Sequence, residues 1–185
     1  MHSELASTVH ADFSPLAAAI LDDGIGNIDT HFAAFARHQH LRGLRVRGLY
    51  MRHIGGAAGC QGDMVLVDIA TQDEYPVSQP LGQGSSACRA DTQGFASASR
   101  VLRDALGQMP DMVICNRFGG LESENGGFAA ELLDIMASDI PLLTIVSPAR
   151  LAAWQRFSGQ ATVLSIEPTH WQSWLDAVLR LQPSR

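Results

Sequence analysis

The chain is 185 residues long, 46% hydrophobic and 17% charged, with a formal net charge of −6. That is enough apolar chain to bury a core and too little charge for disorder, and an acidic chain with no basic block argues against nucleic-acid binding. All 13 basic residues are arginine, which excludes Schiff-base chemistry, pyridoxal-phosphate attachment and the phosphate-loop lysine of ordinary nucleoside triphosphatases.

Residues 1–15 read as a flexible N-terminal tail, and 16–185 as a single α/β domain. Leu16 to Leu21 is a short apolar run that predicts a buried strand, turning at Asp22-Asp23-Gly24. The glycine-rich stretch Gly24 to Thr30 leads into a helix with Ile28, Phe32, Phe35 and Ala36 on one face. Arg37, His38 and His40 favour the helix C-terminus, and Gly43 closes it. Arg45 to His53 predicts a second strand, followed by a glycine-rich loop at 55–59. Met64 to Ile69 predicts a third, with Tyr75 to Ser78 as a hairpin partner. Leu81 to Ala90 is a Gly/Ser-rich loop, and Asp91 is placed to cap a helix from Thr92 to Leu106.

Met112 to Cys115 predicts another strand, and 116–127 a polar loop. A helix at 128–136, a strand at 142–146, a helix opened by Pro148 and running to Phe157, a strand-like segment at 163–166 and a helix at 168–181 complete the chain. Continuous apolar strands alternating with helices predict a mainly parallel sheet covered on both faces, a three-layer α/β sandwich.

Cys60, Cys88 and Cys115 form no CxxC pair, so neither a disulfide framework nor a structural metal site is expected. No apolar run reaches the roughly 18 residues of a membrane span, and no signal peptide is read, so membrane insertion is not expected and the default location is the cytoplasm.

In a parallel sheet the ligand crevice lies at the carboxyl ends of the strands. Three loops belong there. The first offers Gly24, Gly26, Asn27, Asp29 and Thr30, where a helix N-terminus and small residues suit an anion. Its own Asp22, Asp23 and Asp29 oppose one. An ordinary strand-to-helix turn capped by Asn27 or Asp29 is the simpler reading. The second loop holds Ser85, Ser86, Cys88, Arg89 and Asp91, a set able to grip an oxyanion, with Arg89 as its charge partner. A capped helix explains the same residues. The third holds Asn116, Arg117, Phe118, Gly119 and Glu122 directly after an apolar strand. Arg89 and Arg117 are expected to approach each other across the crevice. Among the histidines, His53, at the end of a strand, stands out from a set otherwise read as surface residues.

The segment from Asp111 through Asn116-Arg117-Phe118-Gly119 to Glu122 and Phe128 resembles a motif of a bacterial domain-of-unknown-function family encoded beside molybdate ABC-transporter genes. Leu81 to Asp91, closing in Cys88-Arg89-Ala90-Asp91, resembles that family's second signature, and the likeness spans about residues 17 to 180. More distantly, the third loop is similar to the Walker B region of the small nucleoside-triphosphatase family. Asn116-Arg117 stands where that family has its acidic pair, and Gly24 to Thr30 stands where it has its phosphate loop, without Gly-Lys-Thr. The resemblance implies a P-loop-type fold and weakens triphosphate hydrolysis. It also implies a protein that binds a small anionic ligand (molybdate, phosphate, a nucleotide or a pterin-type molecule) in molybdenum supply or cofactor handling. The alternatives are a divergent hydrolase or transferase using Cys88, Arg89, Arg117 and Glu122, and a non-catalytic adaptor of a transporter or molybdoenzyme assembly.

Overall fold

A computed structural model describes residues 16–55, 63–80 and 88–182, with the side chains of 79, 80, 88 and 89 outside that description. The expected tail at 1–15, most of the 55–59 loop, and Ser85 and Ser86 therefore lie outside the described residues.

The elements in chain order are β1 (Ala17–Leu21), α1 (Ile28–Leu41), β2 (Val46–Ile54), β3 (Asp63–Asp68), β4 (Glu74–Pro76), β5 (Ser78–Pro80), β6 (Cys88–Ala90), α2 (Thr92–Gly107), β7 (Met112–Phe118), α3 (Gly120–Ser123), α4 (Ala129–Met136), β8 (Leu142–Val146), α5 (Leu151–Ser158), β9 (Thr162–Leu164) and α6 (Pro168–Leu181). Seven strands form one sheet in the order β4-β3-β2-β7-β8-β1-β9. β2, β7, β8, β1 and β9 run parallel, and β3 pairs antiparallel with β2. The fold is the P-loop-type three-layer α/β sandwich.

Each face has its own core. On one, α1 and α6 pack Phe32, Phe35, Trp171 and Leu175 on Ala18, Ile20, Ile114 and Ile145. Both phenylalanines meet the Trp171 ring edge-on, at centroid distances of 6.4 and 5.6 Å. On the other, Leu102 of α2, Leu132 of α4 and Trp154 of α5 cover Val113, Cys115, Leu142 and Val146. The central strands are buried on both sides, which is why they read as apolar runs without alternation. β2 and β7 approach closely at Gly48, where φ is +116° and a Cβ would overlap the Ile114 carbonyl.

The predicted boundaries shift in three places. The 75–78 hairpin splits: β4 pairs with β3, while β5 leaves the main sheet to pair with β6. Pro148 opens a single 3₁₀ turn, with the α-helix following from Leu151. Most consequentially, Asn116, Arg117 and Phe118 belong to strand β7, not to the loop after it. The strand carries the polar Asn116 and Arg117 where its pairing with β8 is irregular, between Cys115 and Phe118, a bulge at the carboxyl end of the sheet.

Candidate functional site

The carboxyl ends of β1, β2 and β7 meet the N-terminus of α1, and three side chains converge there on Asp29. Asp29 is the second residue of α1 and is 9% exposed. Its Oδ1 accepts from Asn116 Nδ2 at 2.8 Å and from an Arg117 terminal nitrogen at 3.1 Å. Its Oδ2 lies 3.2 Å from His53 Nε2, at the end of β2. The other terminal nitrogen of Arg117 donates to Asp22 Oδ2 at 3.1 Å, from the turn after β1. The guanidinium fork is thus shared between two carboxylates from the two sides of the glycine-rich loop.

Arg117 reaches them through a backbone conformation it would not choose alone. Its φ is +62°, in the left-handed region that disfavours side chains. Such strain costs about 1–3 kcal/mol and concentrates at functional positions. Asn116 adds a second irregularity: it is 3% exposed, and its Oδ1 has no hydrogen-bond partner. An unpaired buried carbonyl costs about 1–3 kcal/mol.

The Gly24–Thr30 loop turns three of its amides onto nearby side chains. The amide of Gly24 donates to Asp22 Oδ1 at 3.0 Å, and that of Ile25 to Asp23 Oδ1 at 2.9 Å. Asn27 caps α1, its Oδ1 accepting from the Thr30 amide at 3.2 Å. Gly24 and Gly26 both have positive φ, as the tight turn requires. Two carboxylates, of Asp22 and Asp29, hold the one guanidinium, and Asp23 adds a third acid to the loop, so the crevice as built is not an open nest for a bare anion.

Two residues grouped with this site by sequence have other work. Phe118 is buried at 1% and packs on Trp154 and Phe157 at centroid distances of 5.4 and 5.0 Å. Glu122 is buried, and its carboxylate accepts from the amides of Gly119 at 2.9 Å and Phe128 at 3.0 Å, clipping shut the loop that carries α3. Gly127 lies against this carboxylate at φ +55°, leaving no room for a Cβ. Asp91 caps α2, accepting from Gln93 at 2.9 Å and Gly94 at 3.3 Å.

Arg89 sits in β6 opposite Gln79. The neighbouring Ser78 hydroxyl accepts from the amide of Met64, which pairs with His53. The second loop's end is therefore at the same sheet edge as Arg117. The side chains of Cys88 and Arg89 lie outside the described residues, and with them the expected approach of Arg89 to Arg117.

Sequence reading left out Asp22 as a partner. An acid just before the first loop and an arginine just after the third, both at the carboxyl edge of a parallel sheet, were the available signal. Cys115 lies beneath the site, fully buried. Burial, followed by the charges of Glu122 and Glu131, holds its thiol well above the ordinary range, so it is unreactive. Among the described residues no group of three or more histidines, cysteines or acids is arranged to hold a metal ion, and no helix is long and apolar enough to cross a membrane.

A family model described as "Protein of unknown function (DUF2478)" matches residues 16–174. The chain is also 35% identical over 158 residues to the molybdenum import ATP-binding protein ModC 2 of Bradyrhizobium diazoefficiens. That stretch covers 85% of this chain and 18% of the relative, so the chain spans less than a fifth of the relative's length. No solved structure matches it.

Proposed function

The chain belongs to the DUF2478 family, and on that premise we propose that it is a ligand-binding protein of molybdenum handling, working in the cytoplasm, whose P-loop-type crevice takes a small anionic ligand. The observation that carries this reading is Arg117. A strained arginine held at the mouth of the crevice, its fork spanning two carboxylates, is a pre-aimed anion receptor whose present partners an incoming anion can replace. Asp22 is the partner to be displaced, since it stands on the turn, whereas Asp29 is fixed within α1 by three contacts. The molybdenum setting rests on the likeness to the molybdenum import protein.

Triphosphate hydrolysis does not belong to this reading. The chain has no lysine, and Asn116 and Arg117 stand where a P-loop enzyme places its acidic pair. Each missing electrostatic group costs around 10²–10³ in rate. A phosphate-release assay with ATP or GTP and magnesium is expected to show no turnover; one event per second would contradict it. Isothermal titration against molybdate, ATP and GTP tests binding itself.

A second reading is an adaptor that docks on a transporter's ATP-binding protein. It is favoured by the relative's being a far longer chain, of which this one matches a part. Co-purification with such a partner, unchanged by Arg117→Ala, would select it over the first.

A further inference from the structure

Beside the crevice, a groove of 690 Å³ runs between α1 and β2. At its upper end it shares Asn27, Asp29, Thr30 and His53 with the crevice, and it continues past Tyr50 to Leu41 and Ile69. From Thr30 to Leu41 is eleven residues of helix, about 16 Å at ~1.5 Å per residue. Organic ligands occupy pockets of roughly 300–1,000 Å³; a lone tetrahedral anion fills a small part of that.

The groove's chemistry runs against the rest of the molecule. In a chain of net charge −6, its walls carry Arg37, Arg52 and three histidines, and its one acid is Asp29 at the crevice end, already held by Arg117, Asn116 and His53. Arg37 is exposed and has no ionic partner among the described residues. Arg52 pairs with Glu74, but both side chains are nearly half exposed, so the pair is weak and either member is free to regroup. Ala33, Ile69 and the Tyr50 ring add apolar wall to the same groove. Guanidiniums, a phenol and aliphatic side chains in one groove suit a planar heteroaromatic ring, on which arginine stacks.

We propose that this groove binds the heteroaromatic body of a phosphorylated purine or pterin whose phosphate lies at the Arg117 crevice. The inference rests on the anion-binding reading and narrows it: the ligand is an organic phosphate, not a bare oxyanion such as molybdate or phosphate. The crevice alone is a poor home for a bare oxyanion, because its guanidinium and the amides of Gly24, Ile25 and Thr30 are already engaged and its carboxylates repel one. The groove adds contact area that only a ligand with a planar body can use.

The test is isothermal titration of the full chain with guanosine and adenosine 5′-monophosphates, inorganic phosphate and molybdate. The wild type is compared with Ala34→Trp, Arg37→Ala and Arg117→Ala, each checked by circular dichroism. Ala34 is an exposed helix position lining the groove, so tryptophan there fills the space without touching the core. At least one nucleotide is expected to saturate, ten or more times tighter than either inorganic anion. Ala34→Trp should weaken it tenfold or more and Arg37→Ala severalfold. Binding lost in Arg117→Ala but unchanged in both groove variants would overturn the groove and leave the anion-binding reading standing. Binding lost in the groove variants but unchanged in Arg117→Ala would uphold the groove as a nucleotide site and remove Arg117 from it. Inorganic anions binding as tightly as the nucleotides, or no saturation by either nucleotide, would overturn the proposal.

Discussion

Within one seven-residue stretch, Asn116–Arg117 and Phe118–Glu122 make opposite use of polar and apolar chemistry. Phe118 lies in an aromatic cluster, and Glu122 accepts two backbone amides in the interior. One step back along the chain, Arg117 has a left-handed φ and Asn116 leaves a buried carbonyl oxygen without a partner. The two pairs are neighbours in sequence and would be read as one motif. The structure divides them: one part fixes the loop, and the other spends stability at the crevice. A left-handed φ occurs also at Asn125 and an unmet buried polar atom also at Trp154 Nε1; what sets the crevice apart is that both fall on adjacent residues there.

That contrast can be broken by substitution. Phe118→Ala should cost about 3–5 kcal/mol in chemical denaturation, because it empties a fully buried aromatic position; a loss under about 1 kcal/mol would mean the cluster is not packed as described. Glu122→Ala removes a carboxylate from two buried amides, and with about 1.5–3 kcal/mol per charged hydrogen bond it should destabilise by roughly 3 kcal/mol. Arg117→Gly should leave stability within about 1 kcal/mol of wild type. Relief of the left-handed strain offsets the loss of two partly exposed ion pairs. A large loss there would place Arg117 with the scaffold. Smallest in energy but sharp in readout, Cys115 should resist iodoacetamide in the native protein at about pH 8, since its raised pKa and burial deny it a thiolate. Peptide mapping should find it labelled only after denaturation.

The layered architecture was legible because its strands are short apolar runs between amphipathic helices, and helix caps such as Asp91 follow local rules. The crevice edge was legible too, since parallel strands bring their carboxyl ends together. What sequence could not supply was the bulge. Asn116 and Arg117 are polar residues after an apolar run, and local propensity ends the strand there, whereas pairing with β8 carries it on to Phe118. Glu122 looked chemical because it is an acid in a glycine-rich loop; its role depends on the amides of Gly119 and Phe128, up to six residues away, which spacing does not reveal. The α1–β2 groove depends on two elements packing beside each other, and no single segment signals it.

The account stands most directly on Arg117 as the receptor of the crevice. Isothermal titration of wild type and Arg117→Ala against molybdate, ATP and GTP, with circular dichroism confirming equal folding, measures this. The account predicts saturable binding of at least one of them to the wild type and a tenfold or greater loss in the variant, about 1.4 kcal/mol or more. Equal affinity in both proteins would contradict it.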